Sequence, residues 1–289
     1  IFQLLNMKKI ITSIVALISS FASFAQQDPQ YTQYMYNTIN VNPAYVGSRG
    51  VLSVFGLHRT QWVGMDGAPT TNSFSINTPI SESGLGLGVS LVNDKIGPTK
   101  ENNFSVDLSY SMPVSENYKL SFGLKGSLNF LDVDFTKLNI YNQADPRFQN
   151  NIENKLNPNF GAGLYLHSDK TYFGVSIPNF LQTKHYDDNS YSVANEKMHF
   201  YFIGGHVFDL SSDLKLKPAV MTKFVQGAPL QVDLSANFWL YEKFTLGAAY
   251  RWDAAVSVMA GFQISNQLFI GYAYDAETDV YTKVWGVDA

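Results

Sequence analysis

Five histidines, His58, His167, His185, His199 and His206, are the residues best suited to move a proton or hold a metal. They are scattered: no two stand four residues apart, and none has a carboxylate at metal-ligand spacing. His167-Ser168 could serve a hydrolase, but the pair falls in a predicted tight turn between two strands. Asp187-Asp188-Asn189, and Asn150-Asn151 with Glu153, carry oxygens that suit calcium. Neither run fits a calcium loop, and solvated loop acids are the plainer reading. Gly84-Leu85-Gly86-Leu87-Gly88 resembles a phosphate-binding loop, yet Gly alternating with Leu suits a strand whose small residues face a crowded interior. Without cysteine there is no thiolate ligand, no Cys nucleophile and no disulfide. The residues predict no enzyme, no cofactor and no metal site.

The elements that would position any site show a period of two. In 214–275 large apolar residues fall on one parity, and Ser, Asn, Asp, Gln, Gly and Lys on the other. The clearest case sets Phe104, Val106, Leu108, Tyr110 and Met112 on one face against Ser105, Asp107, Ser109 and Ser111. Strands are predicted at 51–59, 71–78, 84–92, 103–112, 118–133, 156–167, 171–177, 197–210, 214–225, 230–240, 244–252, 254–264 and 268–275. Many run to about ten residues, longer than most globular strands and enough to cross a bilayer at a tilt. Lys125 shares a face with Ser121, Gly123, Ser127 and Asn129, and on the lipid side it would cost about 2–4 kcal/mol at mid-bilayer. It is therefore expected to point inward.

The 289 residues carry a net charge of -4, with 17 Tyr and 21 Phe. That acidity speaks against a nucleic-acid partner, and the aromatic excess suits the girdles of a membrane barrel. The connections form two sets. Those at 79–83, 113–117, 168–170, 211–213, 241–243 and 265–267 are tight; those at 60–70, 93–100, 134–155 and 178–196 are read as long, with 226–229 and the turn at Asp253 shorter. Short turns at one rim and long loops at the other mark an outer-membrane barrel with its short rim periplasmic. The fold expected is an all-β, transmembrane antiparallel barrel of about 14 strands over 49–289. Its last strand, at 280–287, alternates poorly and is expected to be weak or missing, through imperfect pairing or a shortened reading frame.

Residues before Met7 look like untranslated frame. Met7-Lys8-Lys9, the apolar run to Ile18 and the small residues Ser23 and Ala25 read as a signal peptide cleaved near Ala25. Export to the outer membrane follows, with membrane lipids as the first partner. Residues 26–48 do not alternate and are rich in Tyr, Asn and Gln, too apolar for a solvated tail. They are expected to form a periplasmic or plug-like segment.

The segment also carries a resemblance. Gln26-Gln27-Asp28-Pro29-Gln30-Tyr31-Thr32-Gln33-Tyr34-Met35-Tyr36-Asn37 and Asn42-Pro43-Ala44-Tyr45-Val46-Gly47 are followed by Arg59-Thr60-Gln61-Trp62 and Gly67-Ala68-Pro69. Asp145-Pro146-Arg147-Phe148, Pro158-Asn159-Phe160-Gly161, Gly174-Val175-Ser176-Ile177-Pro178, Pro229-Leu230-Gln231-Val232-Asp233-Leu234 and Gly271-Tyr272-Ala273-Tyr274-Asp275 complete the set. In this order they resemble the PorP/SprF family of Bacteroidetes, across nearly the whole mature chain. It departs at 276–289, which lacks the His-Glu-containing, aromatic-ending terminal strand typical of that family.

The resemblance implies a non-enzymatic outer-membrane component of type IX protein secretion and gliding motility. Its partners would be a secreted adhesin or other cargo bearing a C-terminal signal, or the periplasmic ring and peptidoglycan-binding parts of the machinery. Tyr31, Gln33, Tyr34, Tyr36, Asn37, Asn42, Pro43 and Ala44 are the expected partner-binding residues, and packing within the barrel is the other reading of the same side chains. Arg59, Trp62, Pro69, Asp145 and Pro146 are family motif residues, with Arg59 and Trp62 at the outer rim, where a girdle tryptophan is the plain reading. The competing class is a passive porin-like channel for small solutes.

Overall fold

In the computed structural model of the chain, residues 34–80, 83–138, 150–181 and 197–278 are described. Alternating polarity becomes strand β1 (Ser53–Thr60), β2 (Thr70–Pro79), β3 (Leu85–Ile96), β4 (Thr99–Pro113), β5 (Lys119–Val133), β6 (Ile152–His167) and β7 (Thr171–Ile177). The series continues with β8 (His199–His206), β9 (Phe208–Asp209), β10 (Leu214–Val225), β11 (Gln231–Leu240), β12 (Phe244–Arg251), β13 (Ala255–Gln263) and β14 (Phe269–Glu277). All fourteen lie in one antiparallel sheet in chain order, the two-residue β9 pairing beside β8 on the edge of β10. The thirteen predicted stretches correspond to these strands, with 197–210 supplying both β8 and β9.

The two faces of the sheet invert a soluble core. Ser73, Ser75, Ser105, Asp107, Ser109, Ser121 and Lys125 are buried, whereas their neighbours Phe74, Leu108, Phe122 and Leu124 are exposed. Polar groups thus turn to an enclosed lumen and apolar groups to a hydrocarbon surround, as expected when all backbone pairing lies between strands. Lys125 and the inward glycines of 84–88 lie where the alternation puts them. Exposed Trp239, Tyr241 and Phe244 lie about the β11–β12 turn, and Tyr250 and Trp252 at the opposite rim, consistent with aromatic belts at two interfaces.

The rims differ from expectation at one place. The 93–100 connection is not a long loop: β3 continues to Ile96, β4 starts at Thr99, and Gly97-Pro98 alone turns the chain. Polar Asn93, Asp94, Lys100 and Glu101 end the apolar alternation without ending the ladder, whose register runs unbroken to Ile96 and Thr99. Backbone pairing outlasts the hydrophobic pattern once a hairpin rises beyond the bilayer. The connections 61–69, 134–151 and 178–198 remain the longer ones on this rim. Strands β1 and β14 end the sheet order, and among the described residues no backbone ladder joins them. The strand expected at 280–287 and the leader at 1–25 lie outside the described residues.

Candidate functional site in the lumen and at the seam

Residues 34–48 stand inside the barrel, in the half nearer the short turns, and the chain surfaces at Arg49 and Gly50. Two single 3-10 turns, Thr38–Asn40 and Pro43–Tyr45, shape this segment. The second is set by Pro43 at its start, which fixes φ, and by Asn42, whose Oδ1 accepts the Ala44 backbone N–H at 2.9 Å. Because the segment has no strand partners, its backbone groups find side chains of the wall instead. Ser109 Oγ donates to the Val46 carbonyl at 2.6 Å and Ser176 Oγ to the Val41 carbonyl at 2.6 Å. Asn77 Oδ1 accepts the Gly47 N–H at 3.3 Å. The inward serines of the alternation thus read out the backbone of the segment.

Side chains of the segment answer in kind. Asn37 Nδ2 donates to Ser73 Oγ at 3.1 Å while its Oδ1 accepts from Ser75 Oγ at 3.0 Å. Asn40 Nδ2 reaches the same Ser73 at 3.0 Å, and Asn42 Nδ2 donates to the Leu164 carbonyl at 3.0 Å. Tyr36 stacks on Phe269 of β14 with ring centroids 5.6 Å apart, and Tyr45 meets Tyr165 edge-on at 5.6 Å. Tyr34, Met35 and Ala44 join Tyr165, Tyr201, Ile203, Met221 and Met259 in one buried cluster. Burial pushes the phenols of Tyr34, Tyr36 and Tyr45 above the ordinary tyrosine range, so they enter the lumen as neutral groups.

One charged pair anchors the segment. Lys125 on β5 and Asp107 on β4 are cross-strand partners whose side chains meet at 3.5 Å, nearly sealed from water. The same Lys125 Nζ donates to the Ile39 carbonyl at 3.2 Å and lies 3.5 Å from that of Asn40. Its charge is thereby shared between a buried carboxylate and two carbonyl dipoles, which together offset its desolvation.

Glycines in the wall make room. A Cβ on Gly123 would stand 2.1 Å from Ala44 N, and one on Gly163 2.1 Å from Asn42 Oδ1. Gly86 and Gly88 face Val46 and Ile39 in the same way. The wall is carved for this segment, which touches β2 through β7 on one side and β11 and β14 on the other.

At the opposite rim a second cluster spans the sheet ends. Arg59 Nη2 on β1 meets Asp275 Oδ2 on β14 at 3.2 Å, and Trp62 Nε1 donates to Glu277 Oε1 at 3.3 Å. Trp62 has φ 47, an uncommon backbone for a bulky residue, and is half-buried beside the seam. Pro69 lends its carbonyl to Gln61 N–H at 3.0 Å, closing the 61–69 connection. On the nearby β11–β12 ladder the cross-strand partners Arg251 and Asp233 also meet, Arg251 Nε donating to Asp233 Oδ1 at 2.7 Å.

Of the expected site residues, Tyr34, Tyr36, Asn37, Asn42, Pro43 and Ala44 come together in the lumen, and Arg59, Trp62 and Pro69 at the other rim. Tyr31, Gln33, Asp145 and Pro146 lie outside the described residues. Ser109, Ser176, Gly123, Gly163, Asp275 and Glu277 were not among the expected site residues. Small inward residues on strands otherwise rich in Leu and Phe were the available signal for the first four.

Two residues weighed for chemistry serve local structure. Ser168 Oγ caps its own turn, accepting the Thr171 N–H at 3.0 Å, and Asn151 Oδ1 accepts the Phe135 N–H at 2.9 Å. Among the described residues no group of three His, Asp or Glu could hold a metal; Asp187-Asp188-Asn189 lies outside them.

An antiparallel barrel, apolar outside and polar within, with a segment of its own chain bound in its lumen, defines an outer-membrane β-barrel protein. The family model for the type IX secretion system membrane protein PorP/SprF matches residues 23–287, and the chain belongs to that family. Among curated proteins none matches. Of solved structures, the CymD monoaromatic hydrocarbon channel is similar at 12% identity and a TM-score of 0.46, over 84% of this chain and 94% of that one. A mutant of the Rh. blastica porin follows at 10% identity and TM-score 0.32, over 78% and 95%. The siderophore receptor PirA from Acinetobacter baumannii shares 8% at TM-score 0.33, over 78% of this chain and 42% of its own. Likeness at this level carries no functional argument, and the barrel is read from this chain's own pairing.

Proposed function

We propose that the chain is a non-enzymatic outer-membrane component of type IX secretion whose periplasmic contacts are made at the rim where its lumenal segment emerges. Family membership supports the secretion role. The observation that supports the place of contact is the burial of the segment itself: Asn42 and Ala44 are 0% exposed, packed within the lumen rather than at its surface. The chain surfaces just after them. Arg49 and Gly50 are exposed, and Val51 and Leu52 present apolar side chains at the short-turn rim before β1 begins. This basic and apolar tip is the part of the segment able to meet the periplasmic ring or the C-terminal signal of a secreted adhesin. Residues 34–48 pack into the short-turn half of the lumen, which supports this reading over an open porin-like channel.

The test is an affinity pull-down of the protein from its native outer membrane, followed by mass spectrometry. Co-purification of one large surface adhesin, or of periplasmic ring components, is expected. Alanine or aspartate at Arg49, Val51 and Leu52 should release them while the barrel stays in the membrane. Recovery of the barrel alone, under solubilisation that keeps secretion complexes intact, overturns the proposal.

A further inference from the structure

The outward face of β1 to β4 near the long-loop rim changes character in three successive rows. The lowest row is apolar: Phe74, Leu91, Phe104 and Leu128 are cross-strand neighbours, all exposed. One pleat higher, His58, Asn72, Asn93 and Asn102 stand in register and are joined by side-chain hydrogen bonds. Thr60 meets His58 Nε2 at 3.1 Å, and His58 Nδ1 meets Asn72 Oδ1 at 2.8 Å. Asn72 Nδ2 donates to Asn93 at 3.4 Å, and Asn93 Nδ2 to Asn102 at 2.8 Å. Above that, Lys95 and Lys100 are directly opposed and both exposed.

Each row asks something of its surroundings. Like charges directly opposite destabilise an antiparallel pair unless an anion lies between them. Asp132, the cross-strand neighbour of Lys100 on β5, is engaged by the Asn154 backbone N–H at 2.7 Å. Among the described residues neither lysine has an ion-pair partner. The ladder below them spends one N–H of Asn72 and one of Asn93 within itself, while Asn102 only accepts, so amide donors remain at a depth between the apolar row and the charges.

We infer that this face binds the phosphorylated, multiply acylated sugar lipid of the outer leaflet. Its acyl chains would lie on the Phe74–Leu128 row, its hydroxyl and amide groups on the Asn72–Asn93–Asn102 ladder, and a phosphate between Lys95 and Lys100. The charge order and the polarity order both match that one molecule. A zwitterionic phospholipid brings its own cation beside its phosphate and no sugar groups for the ladder, and a free phosphate leaves the ladder and the apolar row unused.

The probe is lipid A added to the purified full chain in detergent, with bound lipid counted by native mass spectrometry and barrel integrity followed by heat-shifted gel migration. Wild type is expected to retain lipid A and to lose about tenfold or more in affinity for the dephosphorylated form, which offers the two lysines no anion. The Lys95→Gln/Lys100→Gln variant should bind both forms alike and weakly, while migrating as a folded barrel. Equal retention of phosphorylated and dephosphorylated lipid by wild type overturns the inference, and needs no variant. Competition by inorganic phosphate as effective as by lipid A assigns the lysines to a free anion and overturns it too.

Discussion

Arg59 and Asp275 join the two ends of the sheet. They lie on β1 and β14, which no backbone ladder joins among the described residues, and their charged atoms meet at 3.2 Å with about a fifth of each side chain exposed (18% and 19%). Trp62 and Glu277 repeat the arrangement at 3.3 Å beside them. The seam at this rim is therefore tied by side chains where every other neighbouring pair is tied by backbone.

Breaking that tie should loosen the barrel locally. Arg59→Met removes a pair sheltered enough to contribute about 1–2 kcal/mol, between exposed and buried values. The temperature at which the folded band converts on a gel should fall. Asp275→Asn should fall by a similar amount, and the double variant by less than the sum. Additive losses would mean that the two residues act separately.

Lys125 should be the costlier loss. Lys125→Met leaves Asp107 buried without its cation and frees the Ile39 carbonyl, a loss of about 3–5 kcal/mol. Urea unfolding in detergent, followed by tryptophan fluorescence, reads it as a lower midpoint. Replacing both partners, Lys125→Met with Asp107→Leu, should recover much of the stability, since no buried charge remains.

Asn42→Ala removes the cap on Pro43–Tyr45 and the bond to the Leu164 carbonyl. A loss of about 1–2 kcal/mol is expected in the same unfolding experiment. No change would show that water satisfies both groups equally well.

Wall glycines should decide whether the lumenal segment stays. Gly123→Leu places carbon where Ala44 N already stands, at a would-be distance of 2.1 Å, so the segment must leave. Gly126→Ala, on the lipid side of the same strand with nothing within 4 Å, is the control. A cysteine at Ala44 should become reactive to a water-soluble maleimide in the first variant only.

The barrel was legible because lipid enforces alternation. Phe104 to Met112 against Ser105 to Ser111 could face only two ways, and Lys125 had only one affordable side. The rule weakens where lipid ends, so the hairpin through Asn93, Asp94, Lys100 and Glu101 read as a loop although its ladder continues. On β1 the sorting blurs as well: Phe55 and Leu57 share the inward parity with Arg59, and His58 lies outside. That mixing hid the seam. The lumenal segment has no period, so its Tyr and Asn residues announced order but not place. Its location was written instead in its receptors, Gly86, Gly123, Gly163, Ser109 and Ser176, which composition alone cannot tell from ordinary small inward residues.

The account rests on a lumen occupied by the chain's own residues 34–48. The most direct measurement is the conductance of the purified full chain in a planar lipid bilayer, beside Gly123→Leu and Gly126→Ala. We expect no steady open level from wild type or Gly126→Ala, and persistent steps from Gly123→Leu. A steady open pore in the wild-type protein would contradict the occupied lumen and favour a passive channel.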